Sequence, residues 1–290
     1  MALRIIVLAK QVPDTRNVGK DAMKADGTVN RAVLPAIFNP EDLNALELAL
    51  RIKDQHPDTE IILLTMGPSR AAEIIREAVY RGADKGYLIS DRRFAGSDTL
   101  ATSYAISLAV KKLAPFHIVL GGRQAIDGDT AQVGPQVAEK LSIPQITYAE
   151  TIEAIDQQKI RVKRRLERGV ETVESAYPVL ITAHSSAPAC RARDAKRLMK
   201  FKYARTVTEL QEESNDYTEL FDQRPYLVID EWTVDDIHAE VEQLGLSGSP
   251  TKVKKIENVV FKAKESKVIS AADEDIDMLM KDLIGSHVIG

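Results

Sequence analysis

The chain has a single cysteine, Cys190, among 290 residues. An internal disulfide and a cysteine-based metal cage are therefore excluded. Its five histidines, His56, His117, His184, His238 and His287, are scattered, which gives a metal site little support. No Ser/His/Asp or Cys/His order suggests a nucleophile. Long apolar runs are missing too. The N-terminal MALRIIVLAK is too short for a membrane span or a signal peptide, so a reducing, cytoplasmic location is the expectation. Neither sign of charge dominates, and a net charge of −4 argues against a broad nucleic-acid-binding face. No repeat of fixed period is visible. What is there is a chain 44% hydrophobic and 28% charged, the balance of a soluble globular protein long enough to bury a full core.

The most informative stretch is GGRQAIDGDTAQVGPQ, from Gly121 to Gln136. It follows the short apolar run Phe116 to Leu120, which reads as a buried strand. It leads into a helix-capable segment, Ala131 to Leu141, with Asp129 or Thr130 as the cap. A strand, a glycine-bearing turn and a fresh helix N-terminus make an anion site, because unpaired N–H groups and the helix dipole both favour phosphate. Gly121, Gly122 and Gly128 let the backbone come close to a ligand. Arg123 supplies a fixed positive charge. Gln124, Asp127, Thr130 and Gln132 can hydrogen-bond a ribose or a ring edge. The stretch is neither a Walker loop nor a G-x-G-x-x-G fingerprint. Ala138, where a calcium loop needs glutamate, argues against that alternative. A plain capped helix after a glycine turn is the other reading.

Around this stretch, apolar runs alternate with helical patterns. Leu3 to Ala9 reads as a central parallel strand. Lys10 to Phe38 is polar and long for a loop. Asn39-Pro40-Glu41-Asp42 opens a helix: Asn caps, Pro takes the first helical position, and acids fill the first turn. Leu43, Leu46, Leu50 and Ile52 give it an apolar stripe. Glu60 to Met66 is a strand, followed by a helix from Ala71 to Arg81 that ends at Gly82. Lys85 to Ile89 is another strand, and Ser97-Asp98-Thr99 starts a helix running through Leu113. This alternation predicts a parallel sheet with helices on both faces. Ligands in such sheets sit at the carboxyl ends of the strands. Ala9 to Val12, Met66 to Ser69, Ser90 to Thr99 and Gly121 to Gln132 should therefore converge on one crevice.

From Gln145 the pattern becomes an antiparallel meander: Ile146 to Ile155, Lys159 to Leu166 and Val170 to Ala176. An apolar strand from Pro178 to Ala183 follows. Ser185 to Arg205 is basic, either a solvated face or a docking loop for an acidic partner. Glu209 to Asp222 swings acidic and reads as a connector. A helix is expected around Trp232, within Asp230 to Leu244. A terminal helix, Ser270 to Ile284, carries Ile276, Leu279, Met280 and Leu283 on one face, to pack on another chain or on its own.

The string GRQAIDGDTAQVGP closely resembles the nucleotide loop of the beta subunits of electron-transfer flavoproteins, and is nearer the electron-bifurcating branch than the respiratory one. Other pieces sit in that family's order. Ala9 to Thr15 resembles its first loop, Asn39 to Asp42 its helix start, and Thr65 to Pro68 its second-strand turn. Arg164, Glu167, Gly169, Glu171, Val173, Pro178 and Thr182 fit its pattern, with Arg168 in place of the usual small or acidic residue. Phe94 to Thr102 is similar to a stretch found in bifurcating members. The resemblance runs from about residue 3 to 205, with an echo at Gly248-Ser249-Pro250-Thr251.

The resemblance implies a doubly wound parallel α/β sheet of the Rossmann-like, adenine-nucleotide-binding kind, with an antiparallel meander and a C-terminal extension. Residues 1–183 would be the FAD-binding domain, 184–205 a partner-recognition loop, and 206–290 an extension packing on the alpha subunit. Bifurcating members hold FAD in the beta crevice, take hydride from NADH, and split the electrons. One goes to a low-potential acceptor, ferredoxin or flavodoxin. The other goes through the alpha-subunit FAD to a partner flavin dehydrogenase, often one acting on acyl-CoA. By the same resemblance, Ala9, Asn39, Met66, Gln124, Asp127, Asp129, Thr130, Ala131, Gln132 and Val133 would line the crevice. Arg123 and the amides at the start of the Ala131 helix would meet phosphate, and Ser97, Asp98 and Thr99 would lie near the flavin ring or NADH. The recognition loop matches Arg191 to Lys202, with Arg197, Leu198, Met199 and Lys200 in the docking surface and Ala195 where an aliphatic anchor is usual. No side chain need act as a general acid. Two alternatives stay open: a respiratory-type beta subunit holding structural AMP, and a non-redox nucleotide-binding module of the universal-stress type.

Overall fold

The computed structural model describes residues 2–14, 34–212, 218–251 and 268–289. Thr15, expected in the first loop, and residues 213–217 of the acidic connector lie outside them. The chain enters as β1 (Arg4–Leu8). β2 (Gln11–Pro13) and β3 (Ala36–Phe38) form a small antiparallel pair of their own. Then come α1 (Pro40–Gln55), β4 (Glu60–Met66), α2 (Ala72–Arg81), β5 (Lys85–Ile89), α3 (Thr99–Lys112), β6 (Ile118–Gly122) and α4 (Val133–Leu141). β1 pairs in parallel with β4 on one side and with β6 on the other, and β4 pairs with β5. The chain thus builds outward from β1 in one direction and then returns to its other flank.

Side chains alternate across a strand, and both faces of this sheet are covered. Ile5, Val7, Ile61 and Leu63 meet Leu46, Leu50, Ile74 and Ile75 of α1 and α2 in one core. Ile6, Leu8, Ile62 and Leu64 meet Ala105, Ala109 and Val110 of α3 and Val137 and Ala138 of α4 in the other. That is why these strands read as unbroken apolar runs. Gly82 ends α2 with φ +133°, and a Cβ there would lie 2.7 Å from Leu50 Cδ2.

β7 (Gln145–Ile155), β8 (Lys159–Leu166) and β9 (Gly169–Ala176) form the expected antiparallel meander. β10 (Val179–Ala183) inserts between β6 and β7, parallel to both, so the meander extends the main sheet. β9 is an exposed edge held by cross-strand ion pairs, Arg161 and Lys159 with Glu174 and Arg164 with Glu171. Charge on such an edge also discourages pairing with another chain.

The C-terminal third departs from expectation. After α5 (Ala195–Phe201), β11 (Arg205–Thr206), α6 (Val207–Glu212) and α7 (Thr218–Gln223), residues Val228–Trp232 form β12, parallel to β5. The helix expected around Trp232 is therefore corrected to a strand. β5 offered an open edge, and tertiary pairing there overrides local helical preference. The Trp232 ring stacks on Tyr87 with centroids 4.3 Å apart, and Lys112 Nζ lies 4.8 Å from its centre. The acidic connector carries α6 and α7, and Glu209 of α6 accepts both terminal nitrogens of the well-buried Arg76 (2.9 and 3.0 Å). Among the described residues the sheet has ten strands, in the order β11-β12-β5-β4-β1-β6-β10-β7-β8-β9. α8 (Asp273–Gly285) buries none of its residues.

Trp232→Ala should remove the Tyr87 stack and loosen the β12 edge. For a half-buried ring we expect a loss of about 2 kcal/mol, below the cost of a fully buried one. Urea unfolding followed by far-UV circular dichroism measures it, and an unchanged midpoint would show that β12 contributes nothing to the sheet.

Candidate functional site

The strand order reverses between β1 and β6, and doubly wound sheets bind ligands in the crevice beyond such a switch point. Three side chains from the start of α1 fix both of its walls. Asp42, 7% exposed, accepts the Lys10 N–H after β1 (2.8 Å) and the Gly122 N–H at the end of β6 (2.9 Å). Asn39, fully buried, donates to Gln124 O (2.9 Å) and accepts the Ile126 N–H (3.2 Å). Glu41 accepts the Arg123 guanidinium (2.8 and 3.3 Å) and the Gln124 N–H (3.2 Å). The side-chain cap expected of Asn39 is corrected. Its amide turns from its own helix to the loop after β6, where buried main-chain groups need partners. A Cβ on Gly122 would lie 2.5 Å from Asp42 Oδ1 and 2.7 Å from the Glu41 main chain, so glycine alone allows this approach.

Beyond Ile126 the loop turns outward. Asp129 and Ala131 have φ of 50° and 53°, in the left-handed region. α4 starts at Val133, two residues after the expected Ala131, and has no side-chain cap. The cap expected at Asp129 or Thr130 is therefore corrected: Asp129 instead accepts from Gln124 Nε2 (2.9 Å). Among the described residues, the N–H groups from Thr130 to Gly134 have no protein acceptor. A run of open amides at a helix N-terminus, with left-handed residues within it, suits an anion. The residues present thus fit a phosphate-bearing cofactor.

The other strand-end loops meet here. Gln11 Nε2 donates to Arg70 O (3.2 Å), Lys10 Nζ reaches both Asp127 oxygens (2.7 and 2.9 Å), and Thr99 Oγ1 donates to Gln132 Oε1 (2.9 Å). Ala9 lies just past β1 with its N–H on Leu64 O, and Met66 ends β4 half-buried. Of Ser97, Asp98 and Thr99, only Thr99 is bonded toward this crevice. Ser97 Oγ accepts the Gly245 N–H (3.1 Å). Asp98 caps α3 through Leu100 N–H and Ala101 N–H (2.9 and 3.1 Å) and accepts Thr251 N–H (3.0 Å), while its own N–H donates to Ser249 Oγ (2.8 Å). The Gly248–Thr251 echo is thus a strap over the start of α3. From sequence, Lys10 counts only as part of the converging Ala9 to Val12 loop, and Glu41, Asp42 and Ser249 carry no individual site role. The two acids looked like helix-dipole partners, and only the approach of two strand ends shows what they bind.

The basic run is largely consumed within the chain. Arg191 pairs with Glu47 (3.0 Å) and Asp54 (2.7 Å), and Arg193 pairs with Glu77. Arg197 donates to Val79 O (2.6 Å) and to Ala83 O, carbonyls at the end of α2. Leu198 packs on the core, whereas Ala195 and Met199 are exposed, Met199 at 61%. Lys200 Nζ lies 4.8 Å from the Tyr226 ring centre and 5.0 Å from that of Phe201.

Burial pushes the Asp42 carboxyl up to about 7, against the N–H groups of Lys10 and Gly122 and the Asn39 amide, with neighbouring Glu41 adding to the rise. Among the described residues there is no cluster of metal-ligating side chains and no helix long and apolar enough to cross a membrane.

Fold and site together define a doubly wound, Rossmann-like α/β protein with a crevice at its switch point. Residues 26–206 match the electron transfer flavoprotein domain. The chain is 42% identical to the electron transfer flavoprotein subunit beta of Megasphaera elsdenii, across 99% of this chain and 100% of that one. It is 43% identical to the caffeyl-CoA reductase-Etf complex subunit CarD of Acetobacterium woodii, across 87% and 86%. It is 41% identical to the acryloyl-CoA reductase electron transfer subunit gamma of Anaerotignum propionicum, across 99% and 100%. The chain belongs to the electron transfer flavoprotein family, among its beta subunits. The universal-stress-type alternative is overturned by that match.

Asp42 makes stability depend on pH in a definite direction. Unfolded, its carboxyl loses its proton near 3.8; folded, near 7. Between these values the folded state holds a proton that the unfolded state has released. The contribution is therefore present at the acid end and lost as pH rises through the window. Stability of the parent minus that of Asp42→Asn should fall by up to about 1.4 kcal/mol per pH unit there. Urea unfolding across a pH series measures this, and a difference that does not change with pH contradicts it.

Proposed function

We propose that this chain is the beta subunit of a heterodimeric electron-transfer flavoprotein and that its switch-point crevice holds FAD. The observation that carries the reading is the run of open amides from Thr130 to Gly134 at the mouth of a crevice walled by Asn39, Glu41 and Asp42. Those amides take the cofactor's phosphate, with Asp127, Thr130 and Gln132 placed for a ribose or ring edge. Thr99 and Gln132, bonded to each other, border the same space. The flavin, when bound, supplies the redox chemistry with NADH as hydride donor, and the protein binds, orients and tunes it. Electrons pass to a ferredoxin or flavodoxin and, through the alpha subunit, to a flavin dehydrogenase. The names of the Acetobacterium and Anaerotignum relatives support an acyl-CoA type. The heterodimer works in the cytoplasm. In this reading α8, within the 206–290 extension, packs on the alpha subunit; the exposure of its apolar side chains, Ile276 at 44% and Met280 at 43%, supports that.

One observation favours a second reading, a beta subunit holding structural AMP. Ser97 and Asp98, expected beside a flavin ring, are bonded to the 245–251 strap instead.

The nucleotide content of the heterodimer separates the two. Co-expressed with its alpha subunit, purified and denatured, it should release FAD in about twofold molar amount and no AMP, as the bifurcating resemblance implies. Equal FAD and AMP would establish the AMP reading, and a stable heterodimer without flavin would refute both.

Partner docking falls to the exposed face of α5, where Ala195 and Met199 are exposed and Lys200 lies over the Tyr226 and Phe201 rings. Met199 supplies the apolar contact that Ala195 is too small to make. Met199→Glu combined with Lys200→Glu should slow turnover with the acyl-CoA dehydrogenase about tenfold while leaving FAD content unchanged. Unchanged turnover would remove α5 from the docking surface.

A further inference from the structure

α3 and α4 meet at their first turns, and Thr99 is the joint. Its hydroxyl donates to Gln132 Oε1 (2.9 Å) and accepts from Gln136 Nε2 (3.4 Å). Gln132 is the N-cap residue of α4 and Gln136 lies in its first turn, where the amides from Thr130 to Gly134 stay open among the described residues. One turn further along α3, Ser103 brings its Oγ to 3.0 Å from Gln136 Oε1. The place of the first turn of α4 therefore depends on the place of the first turn of α3.

That turn is fixed by more than its own cap. Asp98 Oδ1 accepts the Leu100 and Ala101 N–H groups, which are capping bonds within α3. Asp98 Oδ2 accepts the Thr251 N–H (3.0 Å), and the Asp98 N–H donates to Ser249 Oγ (2.8 Å). Ser249 is 3% exposed, and its hydroxyl is used twice, since it also donates to Gly245 O (2.5 Å). Gly245 in turn donates its N–H to Ser97 Oγ (3.1 Å). It lies so close to the loop after β5 that a Cβ there would come within 2.6 Å of Arg93 O. The earlier part of the same segment is held by Arg93, which pairs with both Asp91 and Asp235 (2.7 and 2.8 Å). A segment fastened at two places and paired through a buried hydroxyl holds its neighbours in one arrangement.

We infer that Ser249 is a positioning residue of the nucleotide site. It fixes Asp98, and through Asp98 it fixes Thr99, the first turn of α4 and the amides that receive phosphate. This rests on the nucleotide reading above. The strap from residues 245 to 251 is thereby part of the binding device, although Ser249 acts only through other residues.

The test titrates AMP, which carries a phosphate on the adenosine half it shares with FAD, into the heterodimer freed of bound nucleotide. Ser249→Ala leaves the Asp98 N–H unpaired and should weaken AMP about fivefold, the worth of one hydrogen bond. Thr99→Val breaks the joint directly and should also weaken AMP. In the Thr99→Val background, Ser249→Ala should then cost nothing further, because the two act in series. Losses that multiply would show that Ser249 does not act through this joint, the mark of a merely structural role, and would overturn the inference. Unchanged AMP affinity in Ser249→Ala would overturn it too, and either result leaves the nucleotide reading standing. A parent heterodimer that binds neither AMP nor FAD overturns the inference and the reading together.

Discussion

The Asp42 carboxylate joins the two strand ends between which the sheet changes direction. Parallel strands fan apart at their carboxyl ends, and the main-chain N–H groups there lose their ladder partners. At β1 and β6 those groups are the amides of Lys10 and Gly122, and one side chain receives both. Asn39 and Glu41, from the same turn of α1, secure the loop that follows. The loop's inner half is therefore fixed from beneath, and its outer half is free to present unpaired amides. Gly122 is the condition for this, because any side chain there would push α1 off the sheet.

Charge in this chain is used mostly to hold the chain to itself. Arg76, Arg123, Arg191, Arg193 and Arg197 each bind a carboxylate or a helix-terminal carbonyl. Guanidinium suits such work, since its planar fork makes several directed bonds at once. Lys10 beside the crevice meets Asp127, and Lys200 on the α5 face lies over the Tyr226 ring. A point charge on a flexible stem can exchange one partner for another.

The parts of the fold legible in the sequence were those governed by local periodicity. β4 and β5 have the bounds their apolar runs predicted, and α3 begins at its Asp98 cap. The meander has the three strands expected from Gln145 onward. The misses share one cause. Asn39, Asp129 and Trp232 were read from their neighbours in sequence, and each was claimed by a neighbour in space. Asn39 had the right residue type and backbone position for a cap, yet its amide serves a loop more than eighty residues away. Trp232 joined a strand because β5 left an edge unpaired.

The sequence by itself determined the alternation of strands and helices, the parallel sheet and the family, because hydrophobic period, turn residues and literal motifs are all local properties. It also determined that the loop after β6 should open on a helix N-terminus. Tertiary structure decided which polar groups face the crevice. Arg123 is bonded to Glu41, Ser97 and Asp98 to the strap from residues 245 to 251, and Lys10 to Asp127 across the switch point. Each outcome turns on which buried donor or acceptor lacks a partner once the strands are in register. No stretch of chain encodes that alone.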